Sequence, residues 1–316
     1  MRCGVLPFAP PNDGAILREL PAMIQLLCLG FGPMARAIIA ELQQQHRPLS
    51  VAWTNRSGLS EHPLAGIARG FVWRRETPLS LPEGLETWAR GSTHWLISVP
   101  PDLGMGEDSA VAWWRYLAST GPLACRWIGY LSSTAVYGDW GGRWVDEMDT
   151  PRPSSQRGIA RLAVERQWQA VAPGLFHGFR LAGLYGMERN ALQRRISVAQ
   201  ERPGHVFSRI MVEDAALGVA ASMLTPTPSC VYNMADDTPS SYADVVTEAA
   251  RLMGWPLPER LLIDANALDA ESFYAESKRV RALQIRQRFG IGWRHPSFRE
   301  GLQSIYTQTF SRKEKE

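Results

Sequence analysis

A chain of 316 residues, 45% hydrophobic and 21% charged, is long enough to bury a large α/β domain plus a smaller lobe. A net charge of +3, spread without long basic runs, excludes nucleic acid as the main partner, and no apolar run approaches the ~20 residues that span a bilayer. Four scattered cysteines (Cys3, Cys28, Cys125, Cys230) lack metal-ligand spacing and read as reduced thiols of a cytoplasmic protein. No histidine clusters with Asp or Cys, so no metal site is expected.

Residues 1–22 carry several prolines, no clear period and no continuous apolar core, and read as a disordered leader rather than a signal peptide. Met23, directly before the first strand, is a second candidate start. The segment "MIQLLCLGFGPMARAIIAELQQQ" then gives an apolar strand, a glycine turn and a helix with Ala35, Ile38, Ile39 and Leu42 on one face. "LSVAWTNRS" is a second strand, "HWLISVPP" a third stopped by proline, and "DSAVAWWRYLAS" a helix. After them come the strand "CRWIGYLSST", a turn-rich loop over 138–155, a helix over about 158–171 and "GLFHGFRLAGLYG" as one buried strand. Alternating strands and helices predict right-handed βαβ crossovers and a Rossmann-type doubly wound parallel sheet. We assign 23–185 to this nucleotide-binding domain, 186–305 to a smaller C-terminal substrate lobe interleaved with the last strands, and 306–316 to a polar tail.

Gly30-Phe31-Gly32-Pro33-Met34-Ala35 fits G-x-G-x-x-G/A between a strand and a helix, the context in which that pattern carries weight. Gly30 permits the tight turn, Gly32 leaves room for a pyrophosphate, and Ala35 lets the helix pack closely on the strand. Pro33 suits a first helical turn. The end of the second strand carries Asn55 and Arg56 where an acidic residue would bind the ribose of NAD. Arg56 can instead pair with the 2′-phosphate of NADP, so NADP is the expected cofactor and NAD the alternative.

With these motifs, "LISVPP", "YLSSTAVYGD", "FRLAGLYG", "RIMVEDAA" and "VYNMADD" follow in order, and the chain resembles the extended short-chain dehydrogenases/reductases, the NAD-dependent epimerase/dehydratase group. The resemblance implies that Ser133, four residues before Tyr137, polarises a substrate oxygen, and that Pro100 borders the cofactor. It also implies a Tyr-x-x-x-Lys pair in the following helix, where this chain has Arg157 and Arg161. Arg161 keeps the charge and donors to hold ribose hydroxyls. Arg157 stays protonated at ordinary pH and cannot cycle as a general acid, a loss that typically costs ~10²–10⁴ in rate.

Surrogates for the missing tyrosine are few. Tyr137 and Tyr185 are candidates, with Asp139, Asp146 and Glu147 behind them. Loops at the carboxyl end of a parallel sheet border the ligand crevice, which marks Arg189 and Asn190 for substrate contacts. The resemblance places Arg209 where a basic residue can face a substrate phosphate, with pairing to Glu213 or Asp214 as the alternative. Lys278 and Arg279 read as the start of a basic, solvated helix, and Trp113 and Trp114 as packing or homodimer contacts. The expected function is an atypical, NADP-preferring oxidoreductase acting on a carbonyl or hydroxyl group of a small metabolite. A non-catalytic dinucleotide sensor is the alternative, and a nucleotide-sugar epimerase or dehydratase the third.

Overall fold

A computed structural model of the chain describes residues 23–56, 68–104, 106–225, 227–263 and 275–310. The leader 1–22, with Cys3, therefore lies outside the described residues. In chain order the elements begin β1 (Ile24–Leu29), α1 (Pro33–Gln44), β2 (Leu49–Asn55), β3 (Ala68–Val72), α2 (Leu85–Gly91), β4 (His94–Ile97) and α3 (Ser109–Thr120). They continue with β5 (Trp127–Ser133), a 3-10 turn (Thr134–Tyr137), β6 (Trp144–Val145), α4 (Gln156–Val171), β7 (Phe176–Leu181) and β8 (Gly183–Tyr185). A second 3-10 turn (Ala191–Gln193) precedes β9 (Val198–Glu201), β10 (Arg209–Met211), α5 (Val212–Leu224), β11 (Cys230–Met234) and α6 (Tyr242–Leu252). Last come β12 (Glu259–Leu262), β13 (Arg279–Val280), α7 (Leu283–Phe289) and α8 (Phe298–Phe310).

Seven strands form one sheet in the order β11-β7-β5-β4-β1-β2-β3, with every neighbouring pair parallel. This is a Rossmann-like α/β fold. Side chains alternate along β1: Ile24, Leu26 and Cys28 join the core beneath α1 and α5, while Leu27 and Leu29 join the core beneath α2, α3 and α4. Burial on both faces explains why the strands read as near-continuous apolar runs. Trp95, Trp113, Trp114 and Trp168 pack together on the second face, with ring centroids 5.1 to 6.0 Å apart. Trp113 and Trp114 are thus core residues of this chain.

Three differences from the sequence reading have local causes. The stretch 174–186 is two strands: Ala182 N–H donates to the Met234 carbonyl, Gly183 N–H to Ser208, and the chain leaves the main sheet to pair β8 with β10. Residues 279–280 are a strand beside β6, and Lys278 is buried, so the basic solvated helix expected there is not formed. Helix α8 continues to Phe310, into the stretch read as tail; residues 311–316 lie outside the described residues. From the C-terminal part, β11 inserts beside β7, and α5 packs on the α1 face of the sheet.

Gly158, in the first turn of α4, lets that helix dock on the 3-10 turn. A Cβ there would stand 2.6 Å from the Ala135 carbonyl oxygen and 3.0 Å from the Pro153 Cβ. Since α4 carries Arg161 to the ligand crevice, this contact sets the position of the site. Gly158→Ala should destabilise the protein by about 1–3 kcal/mol, the usual cost of overpacking, read by urea unfolding. A loss below about 0.5 kcal/mol would mean that the turn yields.

Candidate functional site

The carboxyl ends of β1, β4, β5 and β7 open into a cleft of about 860 Å³. One wall is the glycine turn and α1, with Gly32, Pro33, Met34, Arg36, Ala37 and Ala40. The floor is Ser98, Leu131, Ser132 and Ser133, with Arg161 reaching in from α4. The opposite wall is built from Leu181 to Arg189 together with Val212 and Glu213.

The glycine turn follows from local sterics. Gly30 has φ +86°, and a Cβ there would lie 3.0 Å from the Val99 nitrogen, so only glycine fits between β1 and the end of β4. Its N–H donates to Thr54 Oγ1, tying the turn to β2. A Cβ at Gly32 would meet nothing within 4 Å and a longer side chain would fill the cleft. Gly32 is also the N-cap of α1, and no side chain caps that end. An open glycine cradle beneath an uncapped helix N-terminus fits the pyrophosphate of a dinucleotide.

Ser133 and Arg161 both line this cleft. Ser133 Oγ accepts a hydrogen bond from the Ala135 N–H at 3.2 Å, which leaves its own proton for a partner in the cleft. Arg161 Nη1 donates to the Leu131 carbonyl at 2.6 Å, fixing the guanidinium at the end of β5. Across the mouth, Arg36 Nη2 meets Glu188 Oε1 at 2.6 Å, joining α1 to the loop after β8.

The other candidates are dispersed. Met34 and Arg189 line the cleft, while Phe31 stacks on Trp53 with centroids 4.9 Å apart and Ala35 is buried on the sheet-facing side of α1. Asn55 ends β2, and Arg56 follows it, exposed. Pro100 is exposed, and its carbonyl accepts from Arg75 at 2.7 Å. Asn190 spends its side chain on its own loop: Nδ2 donates to the Gly186 carbonyl and Oδ1 accepts from Leu192 N–H, at 2.9 and 3.0 Å. Arg209 is buried outside the cleft, bonded to Ser240 and held over the Phe207 and Phe298 rings at 3.9 and 5.1 Å. Neither Glu213 nor Asp214 is its hydrogen-bond partner.

Tyr137 is corrected as a proton-donor candidate. It is fully buried; its hydroxyl donates to Asn233 Oδ1 at 2.8 Å and accepts from Arg180 Nη1 at 2.9 Å, and burial pushes its pKa well above the tyrosine range. Arg157 is exposed on α4 and lines no part of the cleft. Asp139 and Glu147 are backbone acceptors, for Ser277 N–H and Asn233 N–H respectively, each at 2.8 Å. Tyr185 lines the cleft with its hydroxyl directed to the Ser297 carbonyl at 3.4 Å. Sequence reasoning passed over Arg36 and weighed Glu213 only as a partner for Arg209, not as a cleft residue. The spacing of Arg36 one helical turn after Gly32 places it on the cleft face of α1 and could have found it. Among the described residues, no His, Cys, Asp and Glu group could hold a metal ion, and no helix is long and apolar enough to cross a membrane.

Behind the cleft, Glu165 of α4 and Arg180 of β7 form a buried ion pair at 2.8 Å, and Glu165 also accepts from Ser132 Oγ at 2.5 Å. Glu165→Leu should cost about 3–5 kcal/mol, because it leaves the arginine charge buried without its partner. Adding Arg180→Met to that variant should recover most of the loss in urea unfolding. A single variant as stable as the parent would show that the pair does not hold the site.

No family model matches the chain, and no curated protein matches it. Among solved structures, a functionally unknown conserved protein from Silicibacter pomeroyi DSS is 38% identical, with a TM-score of 0.74, over 90% of this chain and 99% of that one. MoeE5 in complex with UDP-glucuronic acid and NAD is 21% identical, with a TM-score of 0.68, over 90% and 98% of the two chains. The dTDP-glucose 4,6-dehydratase of Bacillus anthracis str. Ames, in complex with NAD, is 14% identical, with a TM-score of 0.70, over 93% and 98%.

Proposed function

We propose, for a chain that belongs to the same family as the Silicibacter pomeroyi protein, that it is a dinucleotide-dependent enzyme moving hydride to or from a carbonyl or hydroxyl carbon of a small metabolite. The observation that carries this reading is one cleft containing both an open glycine cradle and, at its floor, Ser133 and Arg161. A bound nicotinamide dinucleotide supplies the hydride acceptor or donor. Gly32 and the first turn of α1 hold its pyrophosphate, and Arg161 its ribose hydroxyls. Ser133 donates its hydroxyl proton in a hydrogen bond to the substrate oxygen, orienting the carbonyl and stabilising charge that develops there.

Arg56, exposed at the end of β2, supports NADP as the preferred form through a charge-assisted contact with the 2′-phosphate. MoeE5 and the dehydratase are described with NAD, so the competing cofactor is defined. Their fold also supports a second reading, in which hydride leaves a nucleotide sugar and returns to it within one catalytic cycle.

The deciding test incubates the protein with NADPH deuterated at the transferable position and a cell metabolite extract, with Gly32→Trp as the blocked control. Deuterium in one compound, absent from the control, is expected. Conversion of a UDP-sugar in the presence of NAD, without label from NADPH, would favour the second reading. Tight NADPH binding with neither outcome would overturn both in favour of a non-catalytic sensor. Separately, Arg56→Ala should lower the ratio of NADPH to NADH affinity by about tenfold or more, measured by cofactor fluorescence. An unchanged ratio would remove Arg56 from cofactor choice.

A further inference from the structure

Ser133 lies at a junction. Beside the main cleft it also lines a second cavity of about 270 Å³, lined further by Thr134, Ala135, Phe207, Ser208, Glu276 and Lys278. The two cavities share Ser133, Leu181 and Ala182. Lys278 has only 8% of its surface exposed. Its Nζ donates to the Gly138 carbonyl at 2.8 Å and to Glu276 Oε2 at 2.5 Å. An ammonium has three donors, so one remains beyond these two contacts among the described residues.

The composition makes this residue stand out. Of 34 basic residues only three are lysine, and the other two, Lys313 and Lys315, lie in the final four residues. Everywhere else, including the two positions of the family's proton-transfer pair, the chain uses arginine. Arginine binds and orients but does not release its proton in proteins, whereas a buried lysine does. The one lysine among the described residues stands at the cavity where Ser133 would hold a substrate oxygen.

We propose that Lys278 is the general acid–base group of this site, standing in for the missing tyrosine; the proposal rests on the hydride-transfer reading above. In the reducing direction, hydride from the reduced dinucleotide bonds to the carbonyl carbon and the C=O π pair moves to oxygen. That oxygen takes a proton from Lys278, leaving an alcohol, an oxidised dinucleotide and a neutral amine. Glu276, part-exposed and bonded to Ser154 Oγ at 3.0 Å, connects the amine to solvent for reprotonation. One cation already paired with one anion suits a small uncharged ketone or secondary alcohol in this cavity better than a phosphate.

The charged and titratable groups around Lys278 are Glu276 two residues before it, Asp139 from the turn after Tyr137, and His205, whose Nε2 lies 3.0 Å from the Glu276 carbonyl. Burial lowers the Lys278 pKa from the ordinary lysine value, against the raising pull of Glu276 and Asp139. Both features suit a group that must gain and lose a proton.

Two measurements on the full chain test this. In the first, the lysines are acetylated with acetic anhydride across a pH series and quantified by peptide mass spectrometry, with Lys313 and Lys315 as internal references. Lys278 should become reactive at lower pH than the tail lysines, and titration together with them or above them would overturn the proposal. The second compares Lys278→Arg and Lys278→Met with the parent in NADPH binding and in single-turnover deuteride transfer to the labelled metabolite. Both variants should keep NADPH affinity within about threefold and lose roughly 10²–10⁴ in transfer rate. The parental rate of reduction should fall as pH rises through the Lys278 titration. A Lys278→Arg variant with near-parental rate would reduce Lys278 to a tie between the segment before β13 and Gly138, leaving the hydride-transfer reading intact. A parent that binds NADPH but transfers no deuteride to any metabolite would overturn that reading and this proposal together.

Discussion

One buried charge pair fixes the relation between the two halves of the site. Glu165 on α4 meets Arg180 on β7, and from these two residues hydrogen bonds reach Ser132 at the end of β5 and Tyr137 in the turn after it. Tyr137 continues the network to Asn233 on β11. Ser133, which floors the cleft, is therefore next to a residue of the network, and Arg161 stands one helical turn before Glu165. Such a pair adds little net stability once desolvation is counted, but any shift of α4 along the sheet leaves a buried charge unpaired. Its contribution is to register, which is what a site spread over α4 and the ends of four strands requires.

That network also explains where sequence reading succeeded and stopped. The parallel sheet, the glycine turn and α1 were legible because each rests on short-range patterning: apolar runs, helical periodicity, and glycines at a strand–helix junction. Residues 68–72 and 85–91 were not singled out, since β3 at the sheet edge and the short α2 have little periodicity to show. Tyr137, Asn190 and Arg209 failed differently. Polar side chains near a ligand crevice look alike in sequence whether they face the cleft or satisfy a turn, and only the partners in space separate them. Asn233, 96 residues from Tyr137, is such a partner.

The two arginines that stand where the sequence resemblance implies a tyrosine and a lysine are placed differently. Arg161 lines the cleft, while Arg157 is exposed on α4 and lines no part of it. The hydride-transfer chemistry proposed above calls for a proton-exchanging group that reaches the site from another part of the chain. On the proposal above, the residues just before β13 carry such a group, Lys278, to a cavity that Ser133 also lines.

The bridge between Arg36 and Glu188 has a consequence for how ligands are admitted. It joins the cleft's two walls through side chains that are still substantially wetted, so separating them costs at most about 1 kcal/mol. The crevice is thus fastened by a contact that a polyanion can displace, because a phosphate offers Arg36 a stronger partner than a solvated carboxylate. Salt screens such an exposed pair, with a Debye length of about 8 Å at physiological strength. Ionic strength therefore weakens both this bridge and the pull of Arg36 on an incoming phosphate.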